Sequence, residues 1–408
     1  MFQRQISWRT LWRDERFLRV FGQIVFLLVV LAVGRYLYIN MYRALEQRSL
    51  LPDFSFLNTT AGFHIGEVPS FLEYSGESTN KEALIVGLFN TLRVSFWGII
   101  FATIVGVIVG TARVLPNPLA RFLATVYVEF LRNVPLLVLL VFWYRGVFIV
   151  LPKLTENPIV IGRKVNPDGT WQAWLVLSNR GMAMAWGEPT EAWPAYRLWL
   201  VLALVAAVVV YIGLSIYARR TGRAPLTLLW ALGAFLAVAA VGWGVVTLTH
   251  GQAPLSLSVP YVKRRLVKGG IRFTPEFLAL LSGLVLYTGA YIAEVVRAGL
   301  QSVSKGQIEA ARALGLPTFQ TLRFVVFPQA LRVIVPPLTS QYLNLTKNST
   351  LAVAIGYPDL FNVAGTIFNQ TGRSIEVILI IMGVYLSFSL ITSAFMNWYN
   401  RKIRIVER

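Results

Sequence analysis

The 408-residue chain contains no cysteine, only two histidines and only 19 acidic residues. Without cysteine there are no disulfides, thiolate metal sites or cysteine nucleophiles. His64 and His250 stand alone, with no ligand spacing around either, so a histidine-based metal site has no footing. Charged residues make up 14% of the chain, where soluble domains carry about a quarter, and that apolar excess also excludes disorder. The sequence also lacks G-x-x-x-x-G-K-[ST], the phosphate cradle of many ATP-hydrolysing chains.

What is abundant is apolar: 56% of residues are hydrophobic and the mean hydropathy is +0.60. A membrane-crossing helix needs about 20 mainly apolar residues, because each adds about 1.5 Å across a hydrocarbon layer of about 30 Å. Eight stretches qualify: Val20 to Ile39, Val94 to Ala112, Phe122 to Leu151, Leu198 to Tyr217, Leu226 to Thr249, Phe277 to Val296, Phe324 to Ile355 and Val377 to Met396. The third and seventh exceed one straight crossing and contain Pro135 and Pro328, Pro336 and Pro337, so tilted, kinked or partly interfacial helices are expected. The first span follows a basic start (Arg4, Arg9, Arg13, Arg16, Arg19). Apolar residues continuing to Ile39 favour an uncleaved anchor, with a signal peptide cleaved near Ala32 or Gly34 as the alternative.

The net charge of +19 could suggest nucleic acid, but Lys and Arg of membrane chains collect on the cytoplasmic side. Sorting the loops by density of Lys and Arg places both termini in the cytoplasm. One cluster argues otherwise: Lys263, Arg264, Arg265, Lys268 and Arg272 fall on the outer side. A solvated basic face or headgroup contact explains them, and an acidic external partner is the sharper alternative. The segments Asn40 to Lys81 and Pro152 to Trp193 are short for independent domains, and Trp171, Trp174, Trp186 and Trp193 read as interfacial anchors.

The most informative stretch runs from Ser304 to Pro317. It reads as a short surface helix: Ser304 with Gln307 resembles a capping box, Gly315 supplies a left-handed stop, and Pro317 prevents continuation. Ala310, Ala311 and Ala313 leave the backbone open to close approach, and Ile308 with Ala311 forms a narrow apolar stripe suited to a groove on another protein. Glu309-Ala310-Ala311, Gly315, Val325, Phe327 and Pro328 resemble the EAA signature of ATP-binding-cassette importer permeases, with Val325 and Phe327 where the family often has Ile and Leu. Arg132 to Leu137, Lys347-Asn348-Ser349 and Ile355-Gly356-Tyr357-Pro358 look like the polar amino-acid branch of these permeases. The early anchor and the two extra spans look like the longer subunits of general L-amino-acid importers.

The resemblance implies an all-α, polytopic fold of the type I importer permease, with about eight spans. Its parts would be an anchor and external segment (1–83), a first core part (84–151), an external segment with two inserted helices (152–273), a second core part (274–398) and a cytoplasmic tail (399–408). It further implies a bacterial inner-membrane subunit that carries L-amino acids alongside a second permease subunit. An external amino-acid-binding protein would deliver substrate. The helix 305–314 would couple to a separate ATP-binding subunit, which alone holds ATP and Mg, through Gln307, Glu309, Ala310, Ala311, Gly315 and Pro328. The chain is then not itself an enzyme and has no cofactor of its own.

Polar residues within spans usually face a bundle interior or a wet path. Gln341, Asn344 and Asn348 recur at helical spacing with Lys347 beside them, a candidate substrate pathway, although such groups also join helices by hydrogen bonds. Lys347 either binds a substrate carboxylate or pairs with a structural carboxylate such as Glu294. Glu129 with Arg132 and Glu294 with Arg297 are spaced to neutralise one another, and Tyr287, Thr288 and Tyr291 could line a path or pack. An ion-gradient-driven secondary transporter is the rival reading. It would also need midplane polar groups, but no capped cytoplasmic helix.

Overall fold

The computed structural model describes residues 15–47, 52–166, 170–222, 226–263 and 266–403. Of the arginines counted in sorting the loops, Arg4, Arg9, Arg13, Arg48, Arg223, Arg264, Arg265, Arg404 and Arg408 lie outside the described residues.

Of the described residues 71% are helical, and every apolar stretch expected to cross a membrane forms helix. In chain order these are α1 (Glu15–Gln47), α2 (Asn80–Ala112), α3 (Pro118–Asn133), α4 (Leu136–Val141) with a π-helical continuation (Phe142–Phe148), α5 (Trp193–Thr221) and α6 (Thr227–His250). After a second set of strands come α7 (Pro275–Gln301), α8 (Lys305–Ala313), α9 (Thr318–Thr321), α10 (Phe327–Asn348), α11 (Leu360–Thr371) and α12 (Ser374–Ile403). Seven helices among the described residues are long and apolar enough to span a membrane, and the pair α3 and α4 adds an eighth if its 106° bend is one broken span. Asn133-Val134-Pro135 causes that bend: proline has no N–H to continue the helix and forces its predecessor into extended backbone, and Val134 has ψ 128°. Pro328 is accommodated differently. The π turn Leu322–Val326 precedes it, and the Phe327 N–H reaches back to the Leu322 carbonyl.

The core is built on the crossing of α2 and α7. Thr79 and Glu82 form a reciprocal cap at the start of α2, and Thr274 caps α7, with Pro275 in the first turn where a missing donor costs nothing. Small residues bring the helices together. A Cβ on Gly106 would lie 2.4 Å from Ile292 Cγ2, and one on Gly110 would lie 2.6 Å from the Ala293 carbonyl oxygen. α10 packs on this pair through Ala330, Ile334, Val335, Leu338 and Leu345, while α11 and α12 close the far side.

Two parts stand away from the core. α1 has no buried residue in its spanning window, and α5 and α6 pack chiefly on each other, where Gly242 receives Trp199 and Tyr196 meets Trp243 edge-on at 5.5 Å. The second finding is a β unit that the sequence reading treated as loops. Sheet order β1-β4-β5-β10 joins Ile159–Ile161, Leu175–Ser178, Gly181–Met184 and Ile271–Phe273. Order β2-β3-β8-β9 joins Lys164–Val165, Trp171–Gln172, Tyr261–Lys263 and Leu266–Lys268, and β6 (Trp186–Pro189) pairs with β7 (Leu255–Ser258). The two four-stranded sheets share a core of Leu154, Ala173, Val176, Ala183 and Val262, so the segments flanking α5 and α6 fold as one small sandwich.

Candidate functional site

α7 separates two ends of the molecule. One end carries the sandwich and the segment 52–79; the other carries α8. About 40 Å of helix lies between them, from 27 residues at about 1.5 Å each.

At the α8 end, the stop forms as the sequence predicts. Gly315 has φ +78°, the Leu316 N–H reaches the Ala311 carbonyl at 3.1 Å and the Gly315 N–H reaches Arg312 at 2.9 Å, the paired bonds that close a helix on a left-handed glycine. The start differs. Ser304 makes no side-chain cap; the Gln307 N–H bonds the Ser304 carbonyl, and the Gln307 side chain instead meets Gln329 at 3.5 Å. The apolar stripe is also directed elsewhere than expected. Ala311 is buried and Ile308 half-buried against Val326 and its neighbours, which anchors α8 to its own chain. Gln307, Glu309, Ala310, Ala313, Gly315 and Pro328 are exposed. Between them stand Leu314, 82% exposed, and Phe319, 71% exposed, which the sequence reading passed over. Their signal was available: an apolar residue off the inward stripe of a surface helix has no partner in its own chain.

A charge cluster braces the elements leading to α8. Glu294 accepts from both Arg113 and Arg297, Arg113 also approaches Glu129 at 4.0 Å, and Arg297 reaches Gln301. The Glu294–Arg297 pair forms as expected. Glu129 turns to Arg113 instead of Arg132, whose guanidinium lies over the Tyr291 ring at 5.4 Å. Thr288 is buried, and the Tyr287 and Tyr291 hydroxyls meet at 3.2 Å, so this face packs.

With Glu294 doubly engaged, it is not the counter-ion of Lys347. Among the described residues Lys347 makes no ion pair. It lies with Ser340 and Asn344 on the exposed face of α10, flanked by half-buried Gln341 and Asn348, opposite the apolar face packed into the core. The four residues expected to form a wet side therefore share one continuous band.

At the sandwich end, the buried Glu67 carboxylate accepts from Arg93 at 2.6 Å and from the Thr274 hydroxyl. Burial raises its proton affinity, and Arg93 opposes that. Asn90 donates to the Glu67 and Pro358 carbonyls, each at 2.9 Å. The segment 52–79 is thereby tied to α2, α7 and the turn before α11. A cavity of about 260 Å³ opens there, lined by His64, Glu67, Thr274, Glu276, Pro358 and Asn362 among others.

Residues 98–405 match the family described as binding-protein-dependent transport system inner membrane component. The chain is 40% identical over 402 residues to the general L-amino acid transport system permease protein AapQ of Rhizobium johnstonii, covering 98% of this chain and 96% of that protein. It is 39% identical to the glutamate/glutamine/aspartate/asparagine transport system permease protein BztB of Rhodobacter capsulatus, covering 97% and 96%. YhdX of Escherichia coli, provisionally named an amino-acid ABC transporter permease protein, is 41% identical over 95% of this chain and 94% of its own.

Proposed function

Because the chain belongs to the binding-protein-dependent transport system inner membrane components, we propose that it is one of two permease subunits importing L-amino acids across a bacterial inner membrane. The single observation that carries the reading is the polar band of α10. Ser340, Asn344 and Lys347 are uncovered within a helix long enough to cross a membrane, and in hydrocarbon each would be costly. A second permease subunit closing a water-filled path along that face removes the cost.

The mechanism follows from the two ends. An external binding protein releases its amino acid at the sandwich end, and Lys347 attracts the carboxylate while Gln341, Asn344 and Asn348 exchange hydrogen bonds with it. ATP and Mg bind in a separate subunit that seats α8, with Leu314 and Phe319 as apolar anchors among Gln307, Glu309 and Ala310. Because Ala311 and Ile308 fasten α8 to the core and the Arg113–Glu294–Arg297 cluster fastens α2 to α7, movement of α8 is transmitted to the helices that line the path. Both termini and α8 then face the cytoplasm.

Purifying the tagged chain from its source membrane tests this. The reading requires an ATP-binding subunit and a second permease in stoichiometric amounts, and ATP-dependent amino-acid uptake into vesicles once the binding protein is added. Uptake that follows an ion gradient without the ATPase would refute it.

A further inference from the structure

The β sandwich has two outer faces of opposite character. Strand register fixes which side chains share a face, because alternate residues point to opposite sides. In the first sheet, Val160, Val176 and Ala183 turn inward to the shared core. The opposite face carries two cross-strand rows: Ile161, Leu175, Met184 and Ile271, and beside it Ile159, Leu177, Met182 and Phe273. All eight are apolar, none is buried, and exposure reaches 60% at Ile161. The outer face of the second sheet carries Lys164, Gln172, Tyr261 and Lys268 in one row, with Lys263 opposite Leu266 beside it.

Ile159 and Ile161 at its edge are exposed and the other six are half-buried, and an apolar face of this extent marks a contact surface. Its position narrows the partner. β10 ends at Phe273 and α7 begins at Pro275, with only Thr274 between, and β6 ends at Pro189 just before α5 begins at Trp193. The sheet is therefore joined directly to α7 through β10, where Phe273 stacks on Phe277 at 5.3 Å, and the separate ribbon β6-β7 leads the same unit into α5. None of the eight side chains carries a polar group with which a protein partner would be selected, and the guanidinium of Arg93 over the Phe273 ring at 5.0 Å is already paired with Glu67, whereas a lipid surface needs no polar anchor. The lysines Lys164, Lys263 and Lys268 lie on the other sheet, about 10 Å further away, while Arg272 of β10 shares the inward row with Ala183 and donates to the Val267 carbonyl.

We propose that the sandwich rests the apolar face of sheet β1-β4-β5-β10 on the lipid bilayer, at the boundary of headgroups and acyl chains, and holds its lysine face out toward water. This accounts for the basic segment that the charge argument placed on the outer side. Lys263 and Lys268 belong to a folded unit whose lipid contact is apolar and whose cations stand clear of the membrane. The inference rests on the chain's spanning a membrane and not on what it transports.

The test uses the cysteine-free chain in its assembled complex. Single cysteines replace Ile159, Ile161 or Leu177 on one face and Lys263 or Lys268 on the other, each carrying an environment-sensitive fluorophore. The complexes are placed in phosphatidylcholine nanodiscs with or without a nitroxide high on the acyl chain. The nitroxide should quench the three apolar-face probes several-fold more than the lysine-face probes, with aqueous iodide giving the reverse order. Equal iodide quenching on both faces would overturn the proposal by placing the apolar face in water. Protection of that face from both quenchers would overturn it by showing a protein there instead. Probes at Ile159 and Ile161 occupy an exposed edge strand, so a folding defect at Leu177 leaves the comparison intact.

Discussion

The α5–α6 hairpin and α10 are both bare along much of their length, yet they expose different chemistry. The hairpin presents Val201, Leu204, Val208, Leu229 and Leu232, while α10 presents Ser340, Asn344 and Lys347. Equal exposure within one chain therefore does not mean an equal neighbour. Apolar side chains lose nothing against lipid; an ammonium and a carboxamide do. The hairpin reads as a lipid-solvated appendage and α10 as one wall of a wet interface. Glycines repeat the contrast: Gly106 and Gly110 let α2 and α7 touch, whereas Gly233 and Gly244 of α6 meet nothing within 4 Å.

The largest effect comes from filling those glycines. Gly110→Leu must separate α2 from α7 at a backbone carbonyl, a cost of about 3 kcal/mol or more, and should abolish recovery of the assembled complex on size-exclusion chromatography. Gly244→Leu should leave recovery unchanged; equal damage would mean the hairpin is packed after all. Next come two leucines of nearly equal exposure, Leu314 at 82% and Leu248 at 85%. Leu314→Ser should reduce substrate-stimulated ATP hydrolysis through loss of an anchor worth about 2 kcal/mol, and Leu248→Ser should not. Glu309→Lys should act in the direction of Leu314→Ser without impairing membrane insertion.

How much of this was legible in the sequence depends on the range of the interaction. Spans and the Gly315 stop are local: an apolar run of sufficient length, or a glycine before a proline, carries its own signal. Glu294 shows the limit. Its neighbour Arg297 could be read from helical spacing, but Arg113 lies 181 residues away and only the crossing of α2 and α7 brings it near. The sandwich was illegible for the same reason. Its strands are two to four residues long, and β5 finds β10 only across the intervening α5 and α6, so no single stretch shows a sustained alternation. The four polar residues of α10 were correctly grouped on one side, but the sequence left open whether Glu294 would neutralise Lys347.

A smaller effect is expected from Lys347→Met, which should preserve assembly and weaken apparent substrate affinity about tenfold, or about 1.4 kcal/mol. Neutralising Glu294 as well should not rescue it, because Glu294 is held by Arg113 and Arg297. The remaining effect is confined to a pH window. Asp359 is buried and caps α11, and burial raises its carboxyl to about 7 from the usual value near 3.9. The folded chain thus keeps a proton that the unfolded chain releases. That contribution to stability is complete below about pH 4 and is lost as pH rises through about 7. Thermal melts of Asp359→Asn should show a flatter decline over this window than the parent.

The central claim is that the bare face of α10 borders water and the bare face of the hairpin borders lipid. Single cysteines at Asn344, Lys347 and Val208, in the complex reconstituted with its binding protein, decide it through reaction with a charged, membrane-impermeant thiol reagent. The account predicts modification at 344 and 347, slowed by saturating amino acid, and none at 208. Unreactive cysteines at 344 and 347 that nonetheless react with a lipid-soluble maleimide would place that face in the bilayer and contradict it.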